Sequence, residues 1–268
     1  MLAEQRLQEG RLDEALDLLQ QAVRQEPGNA RYRTFLFQLL AVLGQWDRAL
    51  KQLQVAGQLD PACLLMVQTY REALLCERLR AEIFAGRRAP LIFGDPQPWL
   101  AKLLEALRLT ALGEYAHARE LREQAFEAAP AIPGTLDGQP FQWLADADPR
   151  LGPVLEGIIN GRYYWIPLAR LRSLTIDPPA DLRDMVWLPA RFIWTNGGEV
   201  MGLIPARYPG SESDPDPLIR LARRTDWRPI AEDLYLGLGQ RMLATDQDEY
   251  PLLDCRLIEL SAQEQGDG

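Results

Sequence analysis

Asp181, Asp184 and Glu199 are the side chains in this sequence whose type best suits general acid–base chemistry or a hard metal ion. Such chemistry needs at least two carboxylates converging on one cleft. The run Pro178-Pro179-Ala180-Asp181-Leu182-Arg183-Asp184 offers them other work: one aspartate caps a helical turn and the other pairs with the arginine. A hydrolase or transferase built on the three is therefore the alternative reading, beside a protein without catalysis. His117 is the single histidine, so a multi-histidine zinc site is excluded and a Ser–His–Asp triad would have to recruit it. It lies in a helical pattern far from any nucleophile motif, which places it on a helix surface. Gly237-Leu238-Gly239-Gln240-Arg241-Met242 begins like a dinucleotide loop. It lacks the third glycine and precedes a strand pattern instead of following one, so a backbone turn explains it. Cys63, Cys76 and Cys255 form no CxxC pair, as expected of buried free thiols in a reducing cytoplasm. No catalytic residue, metal ligand or cofactor site is assigned.

The elements that must position these residues divide into two kinds. Gly10, Leu12, Ala15, Leu19, Ala22 and Pro27 return 34 residues later as Gly44, Trp46, Ala49, Leu53, Ala56 and Pro61. That interval is the tetratricopeptide period, a helix–turn–helix unit in which small residues sit where helices touch. Gly113, Tyr115, Ala118, Ala125 and Pro130 repeat the spacing 69 residues further on, leaving room for a degenerate unit between. Helices are expected over 2–9, 12–25, 30–43, 46–58, 62–85, 99–111 and 115–128, with a proline-rich loop over 87–98. Arrays of this kind present a curved surface to another protein.

After Thr135 the helical period stops. Asp148-Pro149 predicts a helix start running to about Ile159. Strands follow over 163–168, 173–176, 186–188, 192–195 and 200–204, with Asn196-Gly197-Gly198 turning a hairpin. Asp216-Pro217 starts a short helix. Segments 240–245 and 252–260 form a second hairpin. The fold class is thus α+β: an all-α tetratricopeptide-like domain over 1–133, then a mainly antiparallel β-rich α+β domain over 134–268. Five of the 7 tryptophans lie in the second domain, chiefly as core.

Charge follows the same division. Residues 1–133 hold 16 basic and 17 acidic side chains, and residues 134–268 hold 13 and 21, within a net charge of −9. The acidic second half argues against nucleic acid or an anionic membrane as its partner. Met1 leads into an amphipathic helix with no apolar leader, and no run is long enough to span a membrane.

In tetratricopeptide units the first helix of each pair lines the concave groove. The corresponding positions here are Arg31, Thr34, Gln38, Ala41 and Val42, then Leu100, Leu103, Leu107, Thr110 and Ala111. A groove for an acidic tail needs several cations, and only Arg31 supplies one. The partly apolar remainder suits an amphipathic helix with anchors at i, i+3 or i+4, and i+7. Equally, the three leucines could pack against the second domain.

Several stretches of the second domain carry a family likeness. Ile176-Asp177-Pro178-Pro179-Ala180-Asp181-Leu182-Arg183-Asp184-Met185-Val186-Trp187-Leu188-Pro189-Ala190, Leu203-Ile204-Pro205-Ala206-Arg207-Tyr208-Pro209-Gly210-Ser211, Ala222-Arg223-Arg224-Thr225-Asp226-Trp227 and Gly239-Gln240-Arg241 stand in one order. Together with the repeats before them, they resemble the ImpE/TagJ family, accessory proteins of bacterial type VI secretion systems. The resemblance implies a non-enzymatic cytoplasmic adaptor. Its implied partners are an N-terminal helix of the small contractile-sheath subunit (TssB/VipA) and the AAA+ ATPase ClpV, which recycles contracted sheaths. It brings no catalytic residues to carry over, and it leaves open which domain holds the sheath helix.

Overall fold

The computed structural model describes residues 1–261; the end of the second expected domain, residues 262–268, lies outside the described residues. The helical half runs α1 (Leu2–Gln8), α2 (Leu12–Gln25), α3 (Ala30–Val42), α4 (Trp46–Leu59), α5 (Leu64–Phe84), α6 (Pro98–Leu112) and α7 (Tyr115–Ala128). These bounds follow the repeat closely. Gly10, Gly44 and Gly113 stand at the same place in three helix pairs with φ of +76°, +66° and +83°, a conformation that a Cβ disfavours. Ala15, Ala49, Ala56, Ala118 and Ala125 are fully buried, so each pair closes on a side chain no larger than a methyl. Asn29 caps α3, its side-chain oxygen accepting from the Arg31 N–H at 3.1 Å.

The expected proline-rich loop is not all loop. Leu91–Ile92 forms β1 and pairs in parallel with β6 (Arg162–Pro167), Leu91 opposite Tyr164 and Ile92 opposite Trp165. The helical half thus adds an edge strand to the sheet behind it. That sheet is completed by β2 (Gly134–Leu136), β3 (Gln139–Phe141), β5 (Val154–Ile159), β7 (Leu171–Ile176), β8 (Trp187–Trp194), β9 (Glu199–Pro205) and β14 (Leu257–Leu260). Its order is β1-β6-β5-β9-β8-β7-β14-β2-β3, antiparallel except at β1–β6. A smaller sheet joins β4 (Leu144–Asp146), β12 (Met242–Thr245) and β13 (Glu249–Pro251). A two-stranded ribbon joins β10 (Thr225–Ala231) and β11 (Leu234–Gly239), preceded by the short α8 (Pro217–Arg220).

The central strands are buried on both faces. Val154, Ile158, Trp165 and Trp187 belong to the apolar cluster shared with the helices. Their strand neighbours Leu155, Ile159, Ile166 and Leu188 belong to a second cluster, which also holds Leu144, Leu243 and Leu252. The strand period of two therefore sorts adjacent residues into two cores, one under the helices and one under the small sheet. Trp165, Trp187 and Trp194 are core as expected, whereas Trp143 is 39% exposed.

Two expectations are corrected. No helix spans 148–159: the segment makes a turn at Asp148 and then β5, whose six residues are all buried. A strand covered on both faces reads as a continuous apolar run, which periodicity cannot tell from a buried helix. The Asp148 carboxylate does accept a backbone N–H, that of Arg150 at 2.9 Å, but as a local turn. The expected hairpin of 240–245 with 252–260 is also replaced. β12 pairs with β13, while a short 3-10 turn at Leu252–Asp254 redirects the chain so that β14 enters the main sheet between β7 and β2. The segments 186–188 and 192–195 are one strand, β8, with Pro189 just beyond the last β7–β8 pair, Ile176 with Ala190. Among the strands not anticipated, β2–β3 carried a visible signal, since Asp137-Gly138 supplies two consecutive positive φ angles.

The repeat alanines give a direct test of the helix packing. Ala49→Leu must force three extra carbons into a fully closed contact, and urea denaturation should record a loss of about 1–3 kcal/mol; an unchanged midpoint would contradict the close approach of α3 and α4.

Candidate functional site

α1, α3 and the segment Pro179–Met185 enclose an open groove of about 810 Å³. Arg31, Thr34 and Gln38 stand on its α3 wall at i, i+3 and i+7, one face of a helix. Leu7 and Phe35 add apolar surface, and Leu182 and Met185 face them from the opposite wall. Val42 does not line it: the residue is fully buried, and its carbonyl accepts from Arg207 Nη1 at 2.8 Å. Leu100, Leu103 and Leu107 are buried as well, 1%, 1% and 4% exposed. They sit in the large apolar cluster that the helices share with the sheet, so this face of the last helix pair is core and not groove. The structure brings Arg31, Thr34 and Gln38 together and leaves the other four candidates inside.

The opposite wall explains the aspartates. Asp184 Oδ2 accepts the N–H groups of Ala180 and Asp181, both at 2.8 Å, and closes a capping box around the 3-10 turn Leu182–Met185. Asp181 pairs with Arg183, whose guanidinium lies 4.9 Å from the Tyr70 ring centroid. Glu199 pairs with Arg191 at 3.5 Å, at the far end of the β8–β9 hairpin. Six residue steps along the strand separate it from Pro205, the partner of Trp187, roughly 20 Å along the sheet. The three carboxylates do not converge. Among the described residues no group of three or more His, Cys, Asp or Glu is placed to hold a metal ion. His117 is exposed on α7. Gly237 lies in β11, where an added Cβ would fall 2.4 Å from the Tyr208 ring, so close aromatic packing accounts for it.

A second cavity, about 1000 Å³, opens between α5 and the β5–β9 junction, with Leu65, Tyr70, Arg183 and Met201 on its walls. Leu65 and Met201 are 77% and 57% exposed. Sequence reasoning missed this surface. The available signal was Leu64-Leu65-Met66-Val67, an apolar run that covers all sides of a helix start and so cannot face one core.

Comparison with known proteins places this architecture. The family described as ImpE protein matches residues 138–259, and the tetratricopeptide repeat matches residues 6–70. The type VI secretion system accessory component TagJ of Pseudomonas aeruginosa is 54% identical over 259 residues, covering 97% of this chain and 91% of that protein. The chain belongs to the ImpE/TagJ family. A crystal structure of a Vibrio parahaemolyticus protein shares the fold over 98% of this chain and 99% of its own, with a TM-score of 0.87 and 27% identity.

The densest group of charges in this ImpE/TagJ chain lies between its halves. Arg80 of α5 meets Glu156 of β5 in two bonds, Nε–Oε1 at 2.6 Å and Nη2–Oε2 at 2.9 Å, and also donates to the Arg207 carbonyl at 2.7 Å. Arg241 reaches Glu156 Oε2 at 3.2 Å and Asp146 Oδ2 at 2.9 and 2.5 Å through Nε and Nη2. Tyr163 donates to Glu156 and accepts from Trp165 Nε1, while Tyr208 donates to Asp146 at 3.1 Å. Trp187 Nε1 donates to Glu77 at 2.9 Å. Every carboxylate here is matched by a cation or a donor, which is the arrangement of a structural joint.

Titration follows the geometry. Burial raises Glu156, but Arg80 and Arg241 together outweigh it and hold the carboxyl below its usual range. At Asp146 burial wins over the opposing pull of Arg241, and the carboxyl rises from 3.8 to about 6. An acid raised on folding favours the native state most below its unfolded value. The Asp146 contribution is therefore full below 3.8 and lost as pH climbs through about 6; that of Glu156 is present above its unfolded value and lost in acid. A carboxyl-detected NMR titration should find Asp146 with a midpoint near 6, and a midpoint below 4 would mean that Arg241 dominates. Glu156→Ala leaves two buried cations facing one another and should cost about 3–5 kcal/mol in urea. Arg191→Ala, which breaks an exposed pair, should cost under about 1 kcal/mol; equal losses would deny the joint its role.

Proposed function

We propose that this protein is a non-enzymatic adaptor of a type VI secretion system, and that the groove between α1, α3 and Pro179–Met185 receives an amphipathic helix of the small contractile-sheath subunit (TssB/VipA-like). The observation that carries this reading is the groove wall itself. Arg31, Thr34, Gln38 and Phe35 offer one cation, two neutral polar groups and one apolar surface on the concave side of a repeat. A helix about 10 Å across rises 1.5 Å per residue, so 810 Å³ accommodates roughly seven residues, or two turns. Anchors at i, i+3 or i+4, and i+7 span eight residues, close to that length. The relationship to an accessory component supports the secretion setting. Sheath binding in turn would connect the protein to a ClpV-like ATPase and to the cytoplasm, where sheaths are recycled. No described helix is long and apolar enough to cross a membrane. The alternative hydrolase or transferase site lacks its geometry, because Asp181, Asp184 and Glu199 are committed to separate partners.

Calorimetry with a peptide of the sheath-subunit helix should yield a saturable isotherm. Thr34→Trp fills the groove from a partly exposed position and should weaken the peptide at least tenfold while leaving the thermal midpoint in place. Undiminished affinity in the folded variant would remove the helix from this groove. The site would then pass to the cavity beside Leu65 and Met201.

A further inference from the structure

β9 is an interior strand with part of one edge open. It pairs with β8 along its whole length, from Glu199 opposite Ile193 to Pro205 opposite Trp187. On its other side β5 meets it only at Gly202 and Leu203, opposite Ile159 and Ile158. β5 ends there because Asn160 and Gly161, with φ of +49° and +74°, turn the chain back into β6. Among the described residues, Glu199, Val200 and Met201 therefore have no strand neighbour on that side, over about 10 Å of edge.

The pleat fixes where the backbone groups point. At the two ends of β9, Trp194 N–H donates to the Gly198 carbonyl and Ala206 N–H to the Val186 carbonyl, both at 2.9 Å. Even-numbered residues of β9 thus bond to β8, and odd-numbered ones face away from it. Leu203 pairs with Ile158. The N–H and C=O groups of Glu199 and Met201 have no such partner among the described residues, which leaves two donors and two acceptors in strand register.

This edge borders the cavity of about 1000 Å³ beside α5. Met201, Leu203, Ile158 and Pro189 share the sheet face that lines it, and Leu65 stands on the α5 wall. A residue paired with Met201 sends its side chain to that same face, between Met201 and Leu65. Arg162 and Glu72 put both signs of charge on the walls, so selection falls to main-chain bonds and apolar side chains. An open strand edge beside an apolar cavity accepts an extended segment. A second copy using both pairs of groups would set Glu199 of one copy opposite Met201 of the other. Gly198 would then fall opposite Gly202, a place that Ile159 already holds.

The cavity also adjoins the helix groove. Leu182 lines the groove and Arg183, the next residue, lines the cavity, its Nη1 lying 3.0 Å from Met66 Sδ. At the start of α5, Cys63 and Leu65 stand in the same relation. We propose that the chain whose helix fills the groove continues into this cavity as an extended segment and pairs with β9 at Glu199 and Met201. This contact rests on the groove reading, and it adds strand pairing to helix packing.

Calorimetry with the sheath-subunit helix peptide alone, and with the same helix extended by its native flanking residues at both ends, separates the two contacts. The extended peptide should bind the wild type about tenfold more tightly. Met201→Pro removes an N–H that no ladder bond uses, so the β8–β9 pairing stays. It should weaken the extended peptide about fivefold and leave the helix peptide unchanged. Hydrogen exchange at the Met201 amide should slow with the extended peptide only. Should Met201→Pro lose its fold, Leu65→Glu, at a position 77% exposed, carries the same comparison. No gain from the flanks while the helix peptide binds normally overturns the strand contact and leaves the groove reading standing, as does a gain that neither variant reduces. Failure of the helix peptide itself removes the groove reading and this contact with it. A wild-type dimer that Met201→Pro dissociates, seen by light scattering, would give the edge to a second copy and overturn the assignment.

Discussion

A chain of buried charges from Arg80 through Glu156 and Arg241 to Asp146 holds the molecule in one arrangement. Two arginines and two carboxylates taken out of water have no acceptable state except together, so α5, β5, β4 and the start of β12 must meet at one point. Apolar burial alone would tolerate sliding of a helical layer over a sheet. Directional, charge-assisted bonds do not. The surrounding aromatics complete the joint: Tyr163 donates to Glu156 and Tyr208 to Asp146, while Trp187 donates to Glu77, itself 3.5 Å from Arg80, and the rings of Tyr163 and Trp187 pack in the core beneath the helices.

With the two halves locked, the groove acquires its second wall. A pair of repeats by itself offers a concave helical face. Here Pro179–Met185, a segment of the β-rich half, lies opposite α3 and narrows that face to a cleft. Asp184 and Asp181 keep the segment rigid through their capping box, and Arg183 ties it to Tyr70 of α5. Carboxylates that suggested catalysis thus shape the wall of a groove. Their proximity in sequence was real, but their chemistry is local hydrogen bonding.

The residues differ in how far their fate could be read from the chain. The repeat alanines and the glycines at 10, 44 and 113 were legible because their role depends on neighbours within one helix pair. The β8–β9 hairpin was legible for the same reason, through Asn196-Gly197-Gly198. β5 was not, since Val154–Ile159 is covered on both sides and carries no periodicity. Leu100, Leu103 and Leu107 occupy the groove positions of a repeat unit, yet here that face is buried in the core.

What the amino-acid sequence determined by itself was the set of local units: the 34-residue helix pairs, the hairpin turns, the caps, and through its ordered motifs the family. Each follows from interactions within a few residues or one helical turn. Tertiary structure alone decided which faces are surface. The contribution of β1 to the sheet, the exclusion of the last-unit leucines from the groove, and the linkage of Arg80 to Glu156 and Arg241 all join residues dozens to more than a hundred positions apart. Such contacts are settled by how layers pack and where a charge can find its counter-ion, and neither is encoded in any single segment.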